Sequence, residues 1–136
     1  MNLNEIRKSV ETTTREVEFK PVGEPTGWFF ELRHESSPEV QELVRRFQAK
    51  VRDLTFKRKT QQQQALIEKH EDDLRVAHVA GWRWVEGEDP ENGRPPFSKQ
   101  ELRALLDDRR VSYHLKEFID QEVGSLEDFL SKPEYS

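Results

Sequence analysis

The side chains able to do chemistry are four histidines, several pairs of adjacent acids and a few serines. The histidines are His34, His70, His78 and His114. His70 and His78 are eight apart and can share one face of a helix, but zinc ligands on a helix use spacings of three or four, and no such pair occurs. The four are read as surface or half-buried residues. Asp72-Asp73, Asp107-Asp108 and Glu127-Asp128 are neighbours in sequence. On a helix such neighbours point about 100° apart, so none of these pairs converges on one proton or one metal ion. The stretch Glu86 to Gly93 is acidic, yet it lacks the alternating oxygen ligands of a calcium loop. Ser36, Ser37, Ser98 and Ser125 stand where helix starts need caps. No serine sits in a Gly-x-Ser-x-Gly elbow, and no glycine-rich phosphate loop exists. Cysteine is absent, which removes disulfides, thiol catalysis and thiolate metal sites. The pattern points to no enzyme, no cofactor and no metal centre.

Charge and aromatic residues carry more information. Net charge is −5, unevenly spread: residues 1–37 net −2, residues 38–85 net +3 and residues 86–136 net −6. Arg45, Arg46, Lys50, Arg52, Lys57, Arg58 and Lys59 face a single acid, Asp53, within their stretch. Such a helix can lie along a nucleic-acid backbone. Against that use, no base-reading motif follows, the rest of the chain is acidic, and the cations interleave with apolar Phe47, Val51 and Leu54. Only 33% of the residues are hydrophobic and 36% are charged, so the eight Phe and three Trp must do much of the packing. Phe29 and one of Trp82 and Trp84 are the expected exceptions, aromatics offered to a partner.

The elements that position these residues can be read in order. Val17 and Phe19 alternate with charges, and Trp28, Phe30 and Leu32 share one face. With Pro21, Gly23, Pro25 and Gly27 between them, the runs predict a β-hairpin over 15–33, with Phe29 on the opposite face. Ser37-Pro38 starts a helix, and Val40, Leu43, Val44, Phe47, Val51 and Leu54 recur at helical spacing. The helical region is expected to run over 38–80, with Gln61–Gln64 as exposed helix or a joint and Gly81 as a left-handed end. Trp82 to Val85 is extended or a short strand. Residues 86–97, rich in Gly and Pro, read as a long exposed loop. Ser98 and Glu101 form a capping box, and helices follow over 98–130, broken at Gly124 and recapped by Ser125. The expectation is one domain over 1–136: mainly α (α+β), an N-terminal β-hairpin packed against about four helices, one of them long. No window approaches the roughly 20 apolar residues of a membrane span, and Met1 to Lys8 has no signal-peptide run. A soluble cytoplasmic chain is expected.

The order of features resembles a known family. The hairpin ends in Gly27-Trp28-Phe29-Phe30-Glu31-Leu32, and Ser36-Ser37-Pro38-Glu39-Val40 leads into a long charged helix. An alanine-rich helix end runs into Gly81-Trp82. An acidic Gly/Pro loop and Pro96-Phe97-Ser98 follow, and Ser125-Leu126-Glu127-Asp128-Phe129-Leu130 closes the pattern. This resembles the tail assembly chaperones of long-tailed bacteriophages or their prophage relatives, over Val17 to Leu130. The resemblance implies a mostly helical, non-enzymatic protein of the host cytoplasm, absent from the finished virion. It implies self-association into rings or spirals. It also implies contact with the phage tape measure protein while tail tube subunits polymerise around it. For the assembly surface, exposed ion pairs give little affinity alone, about 0–1 kcal/mol each. An apolar anchor of Phe29 with Trp82 or Trp84, beside Arg45, Arg46 and Lys50, is therefore expected.

Overall fold

The structure is a computed structural model that describes residues 2–131, with side chains for 2–9 and 13–123. It opens with a helix not expected above, α1 (Leu3–Thr12), in which Leu3, Ile6 and Val10 recur at helical spacing. Asn2 Oδ1 accepts from the Glu5 amide at 2.9 Å, and Glu5 Oε2 accepts from the Asn2 amide at 3.2 Å. This reciprocal cap satisfies two donors at the helix start. Leu3 and Ile6 remain exposed, so the cap rather than burial explains the helix start.

The hairpin forms as expected from β1 (Thr14–Glu18) and β2 (Trp28–Arg33). Phe19 N–H donates to the Trp28 carbonyl at 2.8 Å and begins the ladder. Gly27 takes φ +72°, a conformation costly for any residue with a Cβ. A third strand, β3 (Val79–Trp84), extends the hairpin to an antiparallel sheet of order β1-β2-β3. Here the expected helix end is corrected. The helix stops at His78, and Gly81 is a strand residue paired with Glu31 beside a bulge, without a positive φ. Trp82 and Trp84 pair across from Phe30 and Trp28, so sheet packing decides the conformation of this segment.

The helical region 38–80 resolves into two helices inserted between β2 and β3. They are α2 (Pro38–Phe56) and α3 (Thr60–His78), each 19 residues and about 28 Å long. Ser37 is the N-cap of α2, but its hydroxyl makes no cap bond and is buried without a partner among the described residues. At the corner, Lys59 N–H reaches the Leu54 carbonyl at 3.0 Å and Arg58 N–H the Thr55 carbonyl at 3.1 Å. Arg58 holds φ 55°, the left-handed position usually given to glycine in this motif. The Gln tract begins α3, exposed at Gln61, Gln62 and Gln64, while Gln63 is half-buried and donates to the Thr55 hydroxyl at 2.6 Å.

Beyond β3, a short 3₁₀ turn (Pro90–Asn92) ends in Gly93 at φ +79°. Helix α4 (Lys99–Asp107) starts with the Ser98 hydroxyl accepting from the Glu101 amide at 3.0 Å. Helix α5 (Ser112–Ser131) runs through Gly124 without a break, which corrects the expected stop there and the recapping at Ser125. A lone glycine costs a helix only about 1 kcal/mol, too little to end it. The fold is α+β and mainly helical, with five α-helices among the described residues. One face of the sheet carries the core: Phe19, Trp28, Phe30, Leu32, Val79 and Trp82 meet Val76 of α3, Leu102 and Leu106 of α4 and Leu115 and Ile119 of α5. Aromatic edges dominate it, as Phe19, Phe30 and Phe118 show with ring centroids 5.2–6.2 Å apart.

Candidate interaction surfaces

The six residues singled out from sequence fall into three separate places. Phe29 lies on the sheet face opposite the core and is half-buried. Arg83, its partner in register on β3, lies over the ring with Cζ 4.4 Å from the centroid. The same guanidinium binds Glu16 in a fork, at 2.7 and 2.8 Å, and holds that carboxyl below its usual range. Glu16 stands directly opposite Glu31, an unfavourable like-charge pair. Arg83 answers one carboxylate, and the Thr14 hydroxyl donates to the other at 2.8 Å. The open sheet face is thus a lattice of charge around one aromatic. Arg83 was not singled out from sequence, although its place between Trp82 and Trp84 already puts it on the face of Phe29.

Trp82 and Trp84 lie on the other face. Trp82 is 8% exposed and belongs to the core. Trp84 is half-buried and stacks on Trp28, with centroids 4.6 Å apart and planes 8° from parallel. Both indole N–H groups donate to the Pro95 carbonyl, at 2.9 and 2.8 Å. Neither therefore joins Phe29 in one anchor; the strand alternation separates them. The two bonds also pin the loop 86–97. Asp89 and Arg94 exchange backbone bonds at 2.7 and 2.9 Å, Arg94 Nε donates to the Gly87 carbonyl at 3.0 Å, and Phe97 packs edge-on against Trp82. The segment is exposed along much of its length and fastened at both ends.

Arg45, Arg46 and Lys50 lie on α2, in the arm formed by α2 and α3. Arg45 and Arg46 both bind Glu42, at 2.6–3.0 Å, and these cations hold the Glu42 carboxyl down to about 2. Lys50 has no ion pair among the described residues and borders a groove described below. Along the arm α2 packs on α3, and the apolar positions Leu43, Val44, Phe47, Val51 and Leu54 of α2 and Leu66, Ile67 and Leu74 of α3, with His70, are only half-buried. Phe47 stacks flat on His70, with centroids 3.7 Å apart, rather than entering the main core. Burial lowers the His70 pKa. The corner of the arm presents Phe56, 89% exposed, among Arg52, Lys57, Arg58 and Lys59.

Where the arm meets the sheet lies a buried polar joint that sequence reading did not locate. His78 Nδ1 donates to the Arg33 carbonyl at 3.0 Å, and His34 Nδ1 accepts from the Ser36 amide at 3.1 Å. The Arg33 guanidinium donates to the Ala77 and Val79 carbonyls at 2.9 and 3.2 Å. Burial pushes the His78 pKa down against the smaller opposing effect of the bond to Arg33. A further concavity of about 520 Å³ lies between β1 and α5, with Val17, Phe19 and Phe118 beneath His114, Glu117 and Glu122. Among the described residues, no three or more His, Asp or Glu side chains converge as a metal site would need. Among them also, no helix is long and apolar enough to cross a membrane. No protein-family model, curated protein or solved structure matches the chain.

Proposed function

We propose that this chain is a tail assembly chaperone of a long-tailed bacteriophage or prophage. On this reading it works by binding in the host cytoplasm, with no catalytic step, and does not enter the virion. Its partner is the tape measure protein, and tail tube subunits are a second contact. The observation that carries the proposal is the arm: two 19-residue helices standing off a packed base, their apolar seam half-open and framed by cations. An extended helical client is held by this kind of surface, an apolar track with charged rims. The resemblance agrees with it. Its most telling motif, Gly81-Trp82 through Pro96-Phe97-Ser98, is one packing unit here, joined by the two indole bonds to Pro95 and the contact between Trp82 and Phe97. Co-expression with the tape measure protein from the same gene neighbourhood should yield a soluble complex. Recovery of the tape measure only as aggregate would count against the proposal.

One observation favours a second reading, a nucleic-acid-associated protein using the basic helix: Arg52, Arg58 and Lys59 have no ion pair among the described residues. Retention on single-stranded or duplex DNA at about 150 mM salt separates the two, because binding through several cations is strongly salt-dependent.

A further inference from the structure

We infer that the distal half of the arm is a docking groove for an acidic amphipathic helix. The groove has a volume of about 610 Å³ and is formed by Ala49, Lys50, Asp53 and Leu54 of α2 with Ala65, Leu66 and Lys69 of α3 among its lining. Its floor is apolar. Ala49 and Ala65 are small, which lets a third helix approach to the 8–10 Å spacing of packed helices. Leu54 and Leu66 stay half-buried because α2 and α3 cover only one side of them.

The charge on the rim selects the occupant. The groove's own charged lining is Lys50 and Lys69 against Asp53, and it lies within residues 50–69, which contain six bases and two acids, net +4. Of the two acids, Asp53 is already held by Lys57 at 3.1 Å. Lys50 and Lys69 flank the floor and have no ion pair among the described residues. An apolar stripe at i, i+3 or i+4, and i+7 fits the floor, and glutamates or aspartates beside that stripe meet the two lysines. A nucleic-acid strand fits less well, since its phosphates would have to cross the leucine and alanine floor to reach both cations. The inference rests on the functional reading only in taking the chain to be a binding protein; it adds the place and the chemistry of the partner segment.

The test uses the full chain and a fluorescein-labelled designed peptide of about 20 residues, with leucines at helical spacing and glutamates at the other positions. Fluorescence anisotropy should show saturable binding in the micromolar range. Lys50→Glu with Lys69→Glu should weaken it about tenfold or more. Ala65→Trp, which fills the floor without changing charge at an exposed position, should weaken it similarly while circular dichroism stays unchanged. The inference is overturned by any of four results: no saturable binding, equal binding of the lysine-for-glutamate peptide, full displacement by single-stranded DNA, or no effect of either variant. A multimer that dissociates in the Lys50/Lys69 variant while the peptide fails to bind would assign the groove to a second copy, also against the inference. The two proposals fail separately. A chain that fails to bind the peptide yet keeps the tape measure protein soluble removes the groove and leaves the chaperone reading. Peptide binding with an insoluble tape measure does the reverse.

Discussion

Phe30 and Phe47 look alike in sequence, each an aromatic within an apolar pattern, yet they differ in what surrounds them. Phe30 is fully buried between Phe19, Trp28, Trp82 and Phe118. Phe47 is half-buried and has His70 as its stacking partner. Phe30→Ala should therefore cost about 3–5 kcal/mol and come close to unfolding the domain. Phe47→Ala should cost about 1–2 kcal/mol, a figure reduced for the share of the ring already in water. Urea denaturation of both variants checks the difference, and equal losses would mean that the arm is covered in solution. The histidines set a pH dependence. The folded state lowers the His78 pKa by burial, so below about 6.5 the unfolded chain binds more protons than the folded one. His70 shifts in the same direction. The stability is present above about pH 6.5 and falls as pH drops below it. Around His78 the groups that matter are Arg33, His34 and Glu35 from the β2 end, Glu71 and Arg75 on α3, and Asp120 on α5. His78→Gln should flatten the fall in urea midpoint between about pH 7 and 5; an unchanged slope would remove His78 as its source. From sequence the face of Phe29 was legible, because alternation fixes it. The same rule puts Trp82 and Trp84 on one face, which corrects the expectation that one of them joins Phe29 as an aromatic offered to a partner: both lie on the core side of the sheet. The joint of Arg33, His34, Ser36 and His78 was not legible, because it forms from the ends of segments some 40 residues apart.

Strand β3 shows what local pattern leaves open. Val79 to Trp84 follows an alanine-bearing helix and contains a glycine, so helix followed by a glycine cap is a reasonable expectation from propensity. The edge of β2, with Phe30 and Trp28 exposed to a third strand, determines the outcome instead. α1 is the opposite case: its Asn2–Glu5 cap and the helical spacing of Leu3, Ile6 and Val10 were present in the sequence, but the run is only ten residues, and isolated helices of that length are marginal. The long helices, the hairpin and the Ser98 cap were legible because each has its own start, stop or period. The loop 86–97 looked free on composition, and its Gly and Pro content gave no sign of the indole bonds to Pro95. Those bonds reverse the order of proteolysis expected from glycine and proline alone. Proteinase K, which cuts wherever backbone is exposed and mobile, should first cut at the arm corner, Lys57 to Lys59, where all three residues are exposed and Arg58 holds a strained conformation. In the loop, Arg94 is half-buried and its guanidinium lies near Glu86 and Asp89 at 3.3 and 3.5 Å, so residues 86–97 should be cut later. Mass spectrometry of early fragments decides this, and early cleavage within 86–97 would show that the loop opens readily.

The chain as a whole combines a fixed base with a projecting arm, and its charge is positive in the middle and negative beyond residue 86. In the proposed role, complementary patches on one subunit favour head-to-tail contacts, which close as rings or continue as spirals. Sedimentation velocity should show a concentration-dependent multimer that weakens toward about 1 M salt, where the screening length falls to about 3 Å. Reversing Arg45, Arg46 and Lys50 to Glu should weaken it further; a strict monomer at high concentration and low salt would contradict multimeric action. Binding without turnover is the central claim, and stoichiometry tests it most directly. Denatured tape measure protein is diluted into buffer containing increasing amounts of the native chain, and aggregation is followed by light scattering. The account predicts that scattering falls in proportion to added chain and vanishes at a fixed molar ratio, with both proteins eluting together in gel filtration. Full suppression at small catalytic amounts, or aggregation unchanged at every ratio, would contradict it.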